Sequence, residues 1–187
     1  MKKIFLFSIF VFLLVFAANA KKGPDEIIKN VKESVDYSIF ANMNKINVYV
    51  TFNETKFWGK SFDEWVEEQR EKGKKSIRQE LISGFFNKFD KDIKKGKKWG
   101  IERIENLDEA KEGYLFVINV DSILPVTGVG TKSDVTITVT QVGDPTVILS
   151  GNMECFQPSI GIPVPILSFK EAGNRILDKL LAFLKAC

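Results

Sequence analysis

Val135, Ile137 and Val139 alternate with Thr136, Thr138 and Thr140. Successive side chains of an extended backbone point to opposite sides, so this period specifies a strand with one apolar face buried and one polar face open. The same reading extends along the second half of the chain. Residues 114–121 are apolar at nearly every position at first, as a central strand requires. Residues 147–156 follow the turn signal Gly143-Asp144-Pro145, and residues 101–105 form a shorter candidate. Earlier, Ile46, Val48, Val50 and Phe52 alternate with Asn47, Tyr49 and Thr51 over residues 46–52.

Between the first strand and the later ones the period changes to that of a helix. Ser61-Phe62-Asp63-Glu64 matches a capping box and opens a helix that ends near Gly73. A second helix runs to about Lys95, with Ile77, Leu81, Ile82, Phe85, Phe86, Phe89 and Ile93 on one stripe. Ser168-Phe169-Lys170-Glu171 reads as another capping box. It precedes a stripe of Phe169, Ala172, Ile176, Leu177, Leu180, Leu181 and Leu184 that must dock on the core. Pro24-Asp25-Glu26 starts a weak peripheral helix with Ile27, Ile28, Val31 and Val35 on one face. The order β-α-β-β-β-β-α predicts an α/β (α+β) two-layer sandwich, with a mixed, mostly antiparallel sheet of four to five strands and helices on one face. Thr136, Thr138, Thr140, Ser150 and Asn152 should populate the other face.

The first twenty residues have a different purpose. Lys2 and Lys3 precede an uncharged, mostly apolar run from 4 to 18, and Ala18-Asn19-Ala20 supplies a small-residue cleavage site. Residues 1–20 therefore read as a signal peptide, 21–44 as a lead with a short helix, and 45–187 as one domain. Fifteen positions between Lys3 and Asn19 are short of the roughly 20 needed to span hydrocarbon, and no second long apolar segment follows. The expected location is outside the inner membrane, periplasmic or associated with the outer membrane.

Charge and composition narrow the function. The chain has 27 Lys and Arg against 24 Asp and Glu, and loss of Lys2 and Lys3 lowers the excess from +3 to +1. The lysines at 88, 91, 94, 95, 97 and 98 alternate with Asp90 and Asp92 and read as a solvated helix C-terminus. Nucleic acid is thus not the expected partner. With no histidine, imidazole acid/base chemistry and Ser-His-Asp or Cys-His catalysis are excluded. No cofactor or metal motif is present. Carboxylate-only hydrolysis needs just two placed acids, but Asp63, Glu64, Glu67 and Glu68 share a capped helix with Arg70 and Lys72 and read as a solvated face. Asp121 and Asp134 read as turn-edge groups.

The element order over residues 46–184, with Leu107-Asp108-Glu109-Ala110-Lys111-Glu112-Gly113-Tyr114-Leu115 leading into a central strand, resembles the TolB N-terminal-like domains and related small envelope α/β domains. The resemblance implies a binding or assembly role and supplies no functional positions. Lys21 stands where a lipoprotein would carry its cysteine, so no lipid anchor is expected there.

Two features remain as candidate sites. Cys155 and Cys187 could close a disulfide in an oxidising compartment or stay free, Cys155 as a core residue. No charged residue occurs from Cys155 through Phe169, where Ile160, Ile162, Val164 and Ile166 alternate with Gly161, Pro163 and Pro165. Ile123, Leu124 and Val126 form a similar loop around Pro125. These loops either expose a contact surface or fold over the sheet end as part of the core. The leading expectation is a non-enzymatic binding or scaffolding protein of the bacterial envelope, meeting an envelope protein through these loops or the open sheet face, with peripheral membrane contact allowed. Alternatives are a carrier of a lipid or small hydrophobic ligand and a histidine-free carboxylate hydrolase.

Overall fold

The computed structural model describes residues 22–31, 34–159 and 163–187. The stretch read above as a signal peptide, residues 1–20, and Ile160 and Ile162 lie outside these residues. The elements are α1 (Pro24–Ile27), α2 (Ser38–Ala41), β1 (Ile46–Thr51), β2 (Lys56–Phe57), β3 (Lys60–Ser61), α3 (Phe62–Glu71), α4 (Ile77–Ile93), β4 (Ile101–Ile104), β5 (Tyr114–Val126), β6 (Gly130–Gln141), β7 (Asp144–Pro158) and α5 (Pro165–Ala186). Short 3-10 helices occupy Lys94–Trp99 and Leu107–Glu109.

The chain is α+β, with a seven-stranded mixed sheet organised around β5. One edge of β5 pairs with β6, antiparallel, almost throughout. Along the other edge, residues 114–119 take β1 and residues 122–123 take β2, both parallel. The β5 ladder has a bulge at Asp121 between these two partners. There the buried Thr55 hydroxyl donates to the Val120 carbonyl at 2.5 Å, satisfying an acceptor between the two parallel ladders. β4 lies outside β1, β3 outside β2, and β7 outside β6.

The sheet is therefore larger than the expected four to five strands. Two of its strands have only two residues each, too few to carry a period; β5, β6 and β7 form an antiparallel meander, whereas β1, followed by a helical crossover, inserts in parallel between β4 and β5. The arrangement also departs from a plain two-layer sandwich. The N-terminal segment runs from α5 to the free edge of β7, where the Lys29 and Asn152 amides and carbonyls exchange two hydrogen bonds of 2.8 Å. Ile27 and Ile28 are buried there, so α1 is part of the core and not peripheral. It is a single turn, and Ile28 is already extended. Gly151 makes room for it, because a Cβ at 151 would lie 2.6 Å from an Ile28 methyl.

Parity then orders the faces. Phe116, Ile118 and Val120 of β5, Val135, Ile137 and Val139 of β6, and Leu149 and Met153 of β7 are buried together with the apolar stripes of α4 and α5. Gly173 lets these two helices approach closely, since a Cβ there would meet the Phe85 carbonyl oxygen at 2.3 Å. The α3 capping box forms as expected: the Ser61 hydroxyl accepts from the Glu64 amide and the Glu64 carboxylate accepts from the Ser61 amide. The expected box at Ser168 does not form. α5 starts four residues earlier than such a cap would set, with Pro165 in its first turn, and Ser168 is buried against Thr131, Oγ to Oγ1 2.8 Å.

Candidate functional site

Two surfaces lie toward the end of the sheet where β1, β4 and β5 have their carboxyl termini. The first is an open cleft of about 1630 Å³ between the ends of β1 and β4 and helices α3 and α4. Crevices at the carboxyl ends of parallel strands are frequent ligand sites. This one has Phe52, Val66, Ile82 and Phe86 among its apolar lining, and charge partners run across it. Arg103 makes a fork with Asp90, Nε to Oδ1 2.9 Å and Nη2 to Oδ2 3.1 Å, while its guanidinium carbon lies 4.3 Å from the Phe86 ring centroid. Arg78 pairs with Asp63, and Arg70 pairs with Glu67 at 2.8 Å. These three arginines already have carboxylate partners, and the lining is not the apolar cavity a hydrophobic-ligand carrier needs.

The acidic group of α3 is equally committed. Asp63 and Glu67 hold the two arginines, Glu68 pairs with Lys60, and Glu64 closes the cap. Hydrogen bonds from the Ser61 amide and hydroxyl hold the Glu64 carboxyl below its ordinary value of 4.5. Asp121 and Asp134 lie in adjacent strands and not at a turn edge. Asp121 accepts from Asn119 at 2.6 Å and from Thr136 at 2.8 Å, and Asp134 accepts from Ser122 at 2.9 Å. Lys132 bridges Asp134 and Glu154 at 3.1 and 2.9 Å, and Glu154 followed by Asp134 raises its pKa above the usual lysine range. The helix-free sheet face is thus a polar network, with Thr136, Thr138, Thr140 and Ser150 half-buried and Asn152 exposed.

The second surface is the tip formed by the β5–β6 hairpin, the β2–β3 hairpin and the start of α5. Ile123, Leu124 and Val126 belong to β5, which continues through Pro125, so the loop expected there is a strand. Beyond Ile123 only β6 lies beside β5, and a free edge tolerates proline. Ile123 is fully buried, while Leu124 and Val126 are half-buried on the helix-free face. Ile166 packs against the core, and Val164 is 56% exposed at the N-cap of α5. The structure places Ile123 in the core, packs the half-buried Ile166 against it and leaves Val164 open.

Four positions outside the expected set complete the surface. Val129 at the β5–β6 hairpin tip is 51% exposed, Phe156 43% and Leu167 55%. Trp58, at the β2–β3 hairpin tip, is half-buried, and its amide donates to the Ile123 carbonyl. These regions join: Gly130 pairs with Pro158, the Ser159 amide donates to the Val129 carbonyl, and Thr131 meets Ser168. A signal for Val129 was available, since a branched apolar residue between Gly128 and Gly130 is unusual turn chemistry. Beneath this surface, Phe62 stacks on Phe169 at 4.9 Å and Phe57 meets Phe169 edge-on at 5.3 Å, giving it a rigid base.

Of the two alternatives for the cysteines, a disulfide or free thiols, the structure has the second. Cys155 faces the core and Cys187 donates to the Phe183 carbonyl; both are free. Arg175 hydrogen-bonds Gln157, so α5 passes Cys155's end of β7 near residue 175. Twelve further helical residues carry the chain about 18 Å onward, well beyond disulfide reach. Burial pushes the Cys155 thiol up to about 12 and the Cys187 thiol up to about 11.

No family model and no curated protein match the chain. Solved structures similar to it include a PelC dodecamer from Paraburkholderia phytofirmans, at 15% identity over 84% of this chain and 98% of that chain, with a TM-score of 0.44. A single-substitution variant of that PelC dodecamer gives 14% identity over 85% and 100%, with a TM-score of 0.45. Likeness at this level carries no functional inference. No helix among the described residues is long and apolar enough to cross a membrane.

Proposed function

We propose that the protein is an exported, non-enzymatic binding or scaffolding component of the bacterial envelope, and that it makes contact through its apolar tip. The observation that carries this reading is the gathering of Val129, Phe156, Val164 and Leu167, each more than two-fifths exposed, at one end of the molecule. Contiguous exposed apolar surface of this kind costs solubility and marks a contact site. The leader supports the compartment, and the resemblance to small envelope domains supports the role. Cell fractionation tests the reading. The wild-type protein is expected with the envelope, and Val129→Asp combined with Leu167→Asp is expected to move it to the soluble fraction with its fold unchanged. A double variant that stays with the envelope refutes the assigned surface.

A further inference from the structure

We propose that the occupant of this apolar tip is the surface of a lipid bilayer. The inference rests on the contact reading above and names its partner. Phe156 stands on the helix-free side of the sheet with Leu124, Val164 is the N-cap of α5 and Leu167 lies in its first turn, and Val129 caps the hairpin between the two sides. Apolar groups that wrap around an end in this way are covered together by a fluid that closes about them, whereas a folded partner would need a matching socket.

The charge distribution points the same way. No charged residue lies between Asp121 and Lys132, and Lys132 pairs with Leu124 and Phe156 close to the level of Trp58, so the hairpin beyond Leu124 can enter an apolar medium without desolvating an ion while the Lys132 head stays at the boundary. Trp58 lies behind the tip, flanked by Lys56 and Lys60, with its amide on the Ile123 carbonyl. A tryptophan at an apolar boundary, beside lysines whose stems tolerate apolar surroundings while their heads reach water, is the arrangement an interface selects. About three strand residues, or roughly 10 Å, separate the level of Trp58 from the hairpin tip. That matches the ~5–10 Å depth of peripheral insertion. Of the three lysines there, Lys132 and Lys60 already have carboxylate partners and Lys56 alone adds little attraction to anionic headgroups, so apolar burial supplies most of the affinity.

The test mixes protein recovered from its host with vesicles of phosphatidylcholine alone, or of phosphatidylcholine with phosphatidylglycerol, and reads the bound fraction by flotation. The wild type is expected to bind both to a similar extent. Val129→Asp with Leu167→Asp is expected to lower partitioning at least about tenfold, with an unchanged melting curve. Trp65 and Trp99 are buried, so a blue shift of emission on vesicle binding reports Trp58, and Trp58→Phe should abolish it. Equal binding by wild type and double variant overturns the proposal, because something else then holds the protein. Binding only to anionic vesicles overturns it as well. If wild type binds neither vesicle while the double variant still leaves the envelope fraction, the bilayer proposal fails and the contact reading stands.

Discussion

The cleft and the apolar tip lie toward the same end of the sheet and are finished in opposite ways. In the cleft, exposed backbone ends and aromatic rings are dressed with charge, and Arg70, Arg78 and Arg103 each carry a carboxylate partner. At the tip, the hairpin from Ser122 to Thr131 has no charge to neutralise. The arginines of the cleft meet their electrostatic needs within the chain, whereas the tip leaves apolar area unmet.

Substitutions can break or sharpen this contrast. Ile123→Asp places a carboxylate in the buried root of the tip and is expected to cost about 4 kcal/mol or more in a urea melt; Leu124→Asp, one residue along on the open face, should cost far less. In the cleft, Arg103→Ala removes the fork and leaves Asp90 without it, for an expected loss of about 1–3 kcal/mol. A melt no different from wild type would mean that the ion pairs there are decorative. Ser61→Ala should cost about 1 kcal/mol through loss of the cap. The Glu64 carboxyl is depressed in the folded state, so its contribution is complete above the ordinary value of 4.5 and disappears as pH falls below it. Glu64→Gln should flatten that part of the stability profile between acid and neutral melts. The smallest effect belongs to the tip itself: Val129→Asp with Leu167→Asp should stay within about 0.5 kcal/mol of wild type, and a larger loss would mean that the tip belongs to the core.

Much of this architecture was legible wherever a period ran long enough. The alternation at 135–140, the α4 stripe and the Ser61–Glu64 cap each describe local physics that the tertiary structure leaves intact. The misses have common causes. β2 and β3 exist only because β5 offers an edge beyond the end of β1, which no local pattern records. Pro125 suggested a loop because its acceptability in a strand depends on which neighbour is absent. Ser168 has the spacing of a cap, but Pro165 starts the helix first. At the tip, Val164 is exposed at the N-cap of α5. Ile123 turned inward because exposure along a strand follows parity and not composition, and Ile166 lies half-buried in the first turn of α5. The cysteine pair was undecidable by sequence, since only the path of α5 reveals how far Cys187 is carried past Cys155.

The clasp between Lys29 and Asn152 bears on handling as well as on folding. β7 is the outermost long strand, and an unguarded border of that kind recruits foreign strands. Fusing an affinity tag just ahead of Pro24 would tug at the segment that shields this border, so a carboxyl-terminal tag is the safer choice for keeping the protein from polymerising in the tube.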